Sequence, residues 1–360
     1  MGASSLEGNQ LMIQSGIRKA LLLSAVFSLS ACASSFLKYD KAEKLKANTE
    51  FENSVKIVLP ADQDKEDDEE EKKDVEPVKN EVSVTTTTLK PSVKQSVKKS
   101  IAKKPVKAER RQPEIESDLG FEGRRPIKDP FRVGEKVVHE VTYLAMTAGT
   151  LTIEVKPFAE VDGKRAYNFR TAIKTSSLFN SIYSVDDYVT TLVDFETLVP
   201  SVYTLHVKES SQLREARMFA DAKKNTATFW EKKVTKKNGE EEKKLQWNIQ
   251  PFSQNVFSII FYLRNFQWTV GVEHKFNVAD NGKNILFKAK ALRKERISTD
   301  VGDFDAIVIR PEIELEGKFK STGENYIWLS DDDRKILLKI ESKIKIGTLV
   351  SEIVRFNKGE

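Results

Sequence analysis

From about Pro126 onward the chain alternates apolar and polar positions with a period of two, the period of a half-buried strand. Leu151-Thr152-Ile153-Glu154-Val155 shows it, as do Tyr167, Phe169, Thr171 and Ile173, and then Tyr203, Leu205 and Val207. Turn signals at Asp162-Gly163, Asn238-Gly239 and Asp280-Asn281-Gly282 separate such runs. Asn238-Gly239 predicts a hairpin, because both central residues of a tight hairpin turn take positive φ. Its arms are placed at Lys232–Thr235 and Lys243–Ile249, and their charges predict a protruding, solvated ribbon. Further strands are predicted at Lys275–Val278, Ile285–Ala291, Phe304–Arg310, Glu312–Lys318, Tyr326–Leu329, Ile336–Ser342 and Thr348–Phe356. Short links between them demand antiparallel pairing, since parallel strands need long crossovers.

One segment breaks the rhythm. Ser253 can cap a helix over 253–264 whose apolar positions, Val256, Phe257, Ile259, Ile260, Phe261 and Leu263, occupy most of its circumference. Such a helix must be covered on more than one side. The predicted fold class is therefore mainly β: a curved, largely antiparallel sheet, a half-barrel or open barrel, wrapped around one apolar helix. Phe257, Ile260 and Phe261 are expected on the concave side. There they either fill it as core or leave a slot for an acyl chain, with Arg264 near the mouth.

The first third of the chain is different. Arg18 and Lys19 precede a run from Ala20 to Leu29 of about ten apolar residues, half of the ~20 that a membrane-spanning helix needs. A charged start, a short apolar stretch and a small-residue exit are the parts of a secretory signal. Leu29-Ser30-Ala31-Cys32 matches the bacterial lipobox, which implies lipid attachment at the Cys32 sulfur and cleavage before it. Residues 1–31 are thus read as a lipoprotein signal peptide, with Met12 as a start of ordinary length. Ala33 after the cysteine favours the outer membrane over the inner one, by resemblance to enterobacterial sorting. The location expected is the cell envelope, at the outer membrane and facing the periplasm, with display on the cell surface left open.

Residues 32–125 read as a charged, disordered tether. An acidic block, Asp62–Glu76, and a basic one, Lys90–Arg111, are punctuated by Pro77, Pro91, Pro105 and Pro113. Such composition buries too little apolar surface to offset chain entropy. About 90 flexible residues have a root-mean-square span of roughly 50–60 Å. Residues 126–360 are expected to form the β-rich domain, and that length is ample for one core.

Composition then excludes several classes of function. The formal charge of +5, from 59 basic and 54 acidic residues, offers no concentrated basic face for nucleic acid. Cys32 is the only cysteine, so internal disulfides and thiolate metal sites are excluded.

At this point the chain resembles a known family. Phe131-Arg132-Val133-Gly134-Glu135, Ala148-Gly149, Tyr183-Ser184-Val185-Asp186-Asp187 and Leu198-Val199-Pro200 are similar to the opening half of the exported bacterial domain family DUF3108. Phe261-Tyr262-Leu263-Arg264, Gly302, the stretch Ile327-Trp328-Leu329-Ser330-Asp331-Asp332-Asp333, and Gly347 are similar to its second half. A departure lies at Ile336-Leu337-Leu338, where similar sequences often carry a proline. The resemblance implies an envelope-located β-rich domain without an established activity, and it supplies no catalytic residues.

No residue set asks for catalysis. His139, His206 and His274 form no metal-spaced pair, and Asp331-Asp332-Asp333 reads as a turn rather than a calcium site. There is no nucleophile elbow and no phosphate loop. No catalytic, cofactor or metal residue is predicted. Beside lipidation at Cys32, the residues singled out for ligand or partner contact are Phe257, Ile260, Phe261, Arg264 and Trp328. Arg264 ends the apolar helix, where a cation meets the negative end of the dipole. Two functions are carried forward. One is a non-catalytic binding or interaction module for a lipid, a glycan or an envelope protein; the other is a scaffolding lipoprotein contacting the cell-wall polymer. An enzyme such as a glycan hydrolase ranks below both, because remote carboxylate pairs leave no local signature. No nucleic-acid partner is expected.

Overall fold

The computed structural model describes residues 48–60, 129–315, 318–320, 324–344 and 346–360. Cys32, residues 1–31 expected to be a signal peptide, and most of the 32–125 segment lie outside them. The chain divides into two compact units, 1–59 with 111–360, and 60–110; every described helix and strand belongs to the first.

Sixteen strands form one sheet among the described residues. The strands are β1 (Ile57–Val58), β2 (Glu135–Tyr143), β3 (Met146–Val161), β4 (Lys164–Thr175), β5 (Asp186–Asp194), β6 (Pro200–Glu209), β7 (Gln212–Asp221) and β8 (Thr226–Thr235). They continue with β9 (Gly239–Asn248), β10 (Glu273–Asp280), β11 (Lys283–Thr299), β12 (Gly302–Leu315), β13 (Lys318–Lys320), β14 (Asn325–Ser330), β15 (Leu337–Lys343) and β16 (Thr348–Lys358). The order across the sheet is β10-β11-β12-β14-β15-β16-β2-β3-β4-β5-β6-β7-β8-β9, antiparallel at each step, with β1 on β3 and β13 on β12. Most strands join neighbours in sequence, as short links require; the exceptions are β1 on β3, β12 beside β14, and β16 returning to pair with β2.

The sheet curls without closing. Extra residues shift the register at Val141/Thr142, Lys156/Ala159, Leu192/Val193 and Ile353/Arg355, and such bulges bend a strand and raise its twist. The end strands β9 and β10 do not pair. Side chains join their corner instead: Lys243 Nζ donates to Asn281 Oδ1 (2.7 Å) and Asn284 Nδ2 to the Asn248 carbonyl (2.9 Å). Phe304–Arg310 and Glu312–Lys318, predicted as separate strands, are mostly one, with Pro311 in its middle. Proline lacks a donor, and β12 tolerates it because no strand pairs with Pro311 on the side away from β11. A hairpin forms at Asn238-Gly239, but not with the expected two-residue turn: Thr235 pairs with Gly239, so Lys236, Lys237 and Asn238 make the loop, Gly239 alone of the pair has positive φ, and the second arm begins there rather than at Lys243.

Register separates the two faces. Tyr203, Met218 and Phe229 point into one buried cluster, while Val202, Phe219 and Trp230, each one residue away, belong to another. The concave side holds the plug, residues 249–268, whose Val256, Phe261, Leu263 and Phe266 share a core with strands from both halves of the sheet. The expected 253–264 helix is reduced to one turn, Ile259–Tyr262, followed by a 3₁₀ turn at Leu263–Asn265. The reason is tertiary. Gln254 runs parallel to β10, its N–H donating to the Asn277 carbonyl and its carbonyl accepting from Ala279 N, both at 2.8 Å. A backbone used at a sheet edge is not free to start a helix.

The segment expected to be a free tether is partly folded. Helix α1 (Thr49–Ser54) is capped by Asn48 Oδ1, which accepts from Phe51 N, and lies on the convex face. Phe51 and Val55 are buried there; the Phe51 ring meets Trp230 edge-on at 5.7 Å, and Trp230 Nε1 donates to Glu50 (3.1 Å). Charge composition hid this anchor because its apolar partner is far along the chain. A second helix, α2 (Ser177–Asn180), sits in the β4–β5 connection.

Among the described residues eight non-glycine residues have positive φ, and two of them are adjacent in one tight turn. The β2–β3 connection puts Leu144 and Ala145 at φ 49° and 61°, in the left-handed region where Asn-Gly is the favoured pair. Non-glycine residues there cost of order 1 kcal/mol each.

Candidate functional site

The plug does not fill the concave side. Between it and the sheet lies a cavity of about 160 Å³. One wall is the plug itself, with Val256, Phe257, Ile259 and Ile260; the facing wall is built by inward positions of β3, β4, β6, β14 and β15, among them Leu151, Ile173, Leu205 and Ile340. Strand alternation explains this lining: Leu151 and Ile153 on β3, and Leu205 and Val207 on β6, are two apart and share a face.

One side of the cavity is polar. Tyr203, Arg214, Asp280 and Asn281 contribute to it. Arg214 is ion-paired with Glu231, and the Tyr203 hydroxyl donates to Asp280 Oδ1 (3.4 Å). Burial pushes the Asp280 carboxyl up to about 6, against the opposing pull of Arg214 and of the Tyr203 hydrogen bond. Burial and the Asp280 charge hold the Tyr203 hydroxyl well above its ordinary value, so it stays a donor. An apolar slot with a few convergent polar groups is the usual build of a small-molecule site, although 160 Å³ is below the roughly 300–1,000 Å³ of drug-sized pockets.

The residues singled out from sequence separate into three places. Phe257 and Ile260 line the cavity, and the Phe257 ring meets Tyr203 edge-on at 5.0 Å. Phe261 does not; it is buried core, stacked on Phe169 at 4.0 Å. Arg264 stands away from the cavity rather than at its mouth. It is 3% exposed and holds Glu135 with both terminal nitrogens, at 2.6 and 3.0 Å. Its Nε and Nη2 also donate to the carbonyls of Arg334 and Pro130, and Arg334 bonds the same Glu135 carboxylate. Arg264 thus latches the end of the plug to β2 and to the loop before it. Trp328 is buried and lines no part of the cavity; its Nε1 donates to Glu295 (2.6 Å) and Lys339 lies over its ring. Cys32 lies outside the described residues.

The histidines do not converge. His139 is buried in β2 with Nε2 donating to the Leu337 carbonyl, His206 contacts Glu215 and Tyr188, and His274 packs on Phe266 and Trp268. Asp332 is a turn residue: its Oδ1 accepts from Ser330 Oγ and from the amides of Arg334 and Lys335. Among the described residues no three His, Cys, Asp or Glu side chains gather as a metal site would need, and no helix is long and apolar enough to cross a membrane. The sequence reading missed the polar wall. Its signal was Arg214, a charge in the same register as the inward Ala216, Met218 and Ala220.

Solved structures align with the chain at low similarity. A β-barrel-like protein of the DUF1849 domain from Brucella abortus aligns with 10% identity over 64% of this chain and 99% of its own, at TM-score 0.41. A Bacteroides fragilis protein described as exported, with a YmcC-like fold, aligns with 10% identity over 64% and 98%, at TM-score 0.30. A Parabacteroides distasonis protein described as a lipoprotein aligns with 11% identity over 64% and 97%, at TM-score 0.28. No curated protein matches the chain. The model of the family "Protein of unknown function (DUF3108)" matches residues 138–354, from within β2 into β16, and the chain belongs to that family.

Proposed function

We propose that the domain is a non-catalytic binding module of the cell envelope, which takes the acyl part of an amphiphile into the cavity between plug and sheet. The observation that carries this reading is the unfilled space itself, a mostly apolar pocket left between plug and sheet where facing elements normally pack closely. Its volume is close to that of an engineered apolar cavity of roughly 150 Å³ that binds benzene, so it suits about six carbons of chain. The polar wall of Tyr203, Arg214, Asp280 and Asn281 supplies donors and acceptors for a head group. Lipidation of Cys32 would hold the module at a membrane, in reach of such ligands.

The test is binding of saturated fatty acids of graded length, followed by thermal melting and by displacement of a fluorescent fatty acid. At a ligand concentration about a hundred times Kd, the melting temperature should rise by roughly 5–10 °C. Leu205→Trp, which fills the cavity from β6, should abolish the rise while leaving a folded domain. No response to any chain length would refute the reading.

A further inference from the structure

The polar wall of the cavity lies at the corner where the sheet fails to close. Asp280 ends β10, and the groups that act on it come from successive strands on the far side of that corner: Tyr203 from β6, Arg214 from β7, Glu231 from β8 and Lys243 from β9. Lys283 pairs with Asp280 across the β10–β11 turn, and the plug faces the cavity with the apolar Val256, Phe257, Ile259 and Ile260.

The pairing of these charges passes Asp280 by. Arg214 holds Glu231, and Lys243 Nζ donates to Asn281 Oδ1 (2.7 Å). Among the described residues the Asp280 carboxyl receives one hydrogen bond, from the Tyr203 hydroxyl at 3.4 Å, well beyond the ~2.7–2.8 Å usual for a hydroxyl donor. It is nevertheless 7% exposed and lines an apolar slot. The other lining carboxylate, Asp187 on β5, is half-buried, and the Lys208 amide donates to its Oδ1 (2.9 Å). Asp280 is thus a buried acid with capacity to spare for a group inside the cavity.

Charge decides which group. With Asp280 ionised, Arg214 and Lys243 balance Glu231 and Asp280. A ligand carboxylate entering beside Asp280 would add a third negative charge where water is scarce, and two carboxylates that share one site do not both ionise. One proton removes the conflict. It sits between an oxygen of the ligand and an oxygen of Asp280, and the wall then carries the same charge as before. Burial, which already pushes the Asp280 carboxyl up to about 6, favours that state. A hydroxyl head needs no such proton, because it donates to the carboxylate directly. An ammonium head needs none either, but it would enter beside two cations, Arg214 and Lys243.

We propose that the cavity selects a carboxylic-acid head group and takes it up with one proton from solvent, held between the ligand and Asp280. The proposal rests on the cavity reading given above and deepens it: the slot between plug and sheet sets chain length, and Asp280 sets head-group specificity.

The test compares octanoic acid, octan-1-ol and octylamine, each with about six carbons for the slot beyond two at the polar wall. Isothermal titration calorimetry is run between about pH 6.5 and 8.5, where octanoic acid is ionised in water, and repeated in buffers of unlike ionisation heat to count protons. The acid should take up nearly one proton at about pH 8, and its affinity should fall close to tenfold for each pH unit above about 7. The alcohol should bind without proton uptake and with an affinity that is flat over the same range. Asp280→Asn should bind the acid with no proton and no slope against pH. Leu205→Trp should abolish uptake of ligand and proton together. An acid that binds without pH dependence, or not at all, while the alcohol binds, would overturn this inference and leave the cavity reading standing. Proton uptake that persists in Asp280→Asn would also overturn it, and octylamine binding more tightly than the acid at about pH 6.5 would do so in favour of a cationic head. Failure of all three ligands would refute the cavity reading, and this inference with it. The proton count of the parent protein needs no variant, so it decides the question even where Asp280→Asn folds poorly.

Discussion

The latch between plug and sheet gives the sharpest stability prediction. Glu135 is 1% exposed and accepts from both Arg264 and Arg334, whereas the Arg264 guanidinium bonds one carboxylate, that of Glu135, and two backbone carbonyls. A buried pair is not by itself evidence of net stability, because two desolvated ions cost much of what they return; removing one partner is nevertheless expensive, ~3–5 kcal/mol. Arg264→Met leaves Glu135 still compensated by Arg334 but strips donors from the carbonyls of Pro130 and Arg334, so the loss should fall near the lower end, about 3 kcal/mol. Glu135→Leu leaves Arg264 buried without its carboxylate and should cost about 5 kcal/mol. With both replaced, the guanidinium left without the carboxylate is that of Arg334, which is partly exposed and keeps its backbone partners, so the double variant should be more stable than the sum of the single losses predicts, by roughly 2 kcal/mol or more. For a domain of this size, about 3 kcal/mol corresponds to a melting point lower by roughly 6–12 °C. Urea unfolding followed by tryptophan fluorescence measures all four corners of the cycle. Additive losses, or a cost below about 1 kcal/mol for Arg264→Met, would refute the idea that this contact holds the plug.

Two further predictions follow from burial. Phe51→Ala should destabilise the domain by roughly 3–5 kcal/mol, the range for a buried phenylalanine, whereas a free tether would give no change in the same urea titration. His139 is pushed down to about 4 by burial. Between 6.5 and 4 the unfolded chain therefore binds the proton and the folded one does not, so this group's contribution is full above 6.5 and is lost as pH falls, by about 3 kcal/mol once below 4. Asp280, raised to about 6, acts in the opposite sense, with stability gained as pH falls toward its unfolded value of 3.8. The parent should thus show a shallow slope, and Asp280→Asn should lose stability steeply below about pH 6.5; a slope unchanged by that substitution would show that one of the two assignments is wrong.

Alternation is a local property, and it was enough to predict many of the strands, although β2, β5 and β7 were not read from it. Leu151 and Ile153 share a face whichever strands lie beside them, so a mainly β, antiparallel, curved sheet could be read from the chain. The hairpin at Asn238-Gly239 was legible for the same reason, since its turn is built from adjacent residues. Other features depended on residues far apart. The period of 253–264 is helical, but β10 takes the backbone of Gln254, and one helical turn remains. Arg264 has a place in the last turn, yet its partner Glu135 is 129 residues away, and no local pattern carries that pairing. Phe51 sits among charges and reads as tether until Trp230 is brought beneath it. The cavity is the extreme case. It is the volume left where inward side chains of β3, β6 and β15 fail to meet Phe257 and Ile260, and that gap is fixed by the curvature of the sheet and the path of the plug. Sequence determined which side chains face inward, because that depends on neighbours along one strand; tertiary structure decided what each of them meets, because packing is a relation between segments that the chain's order does not place together.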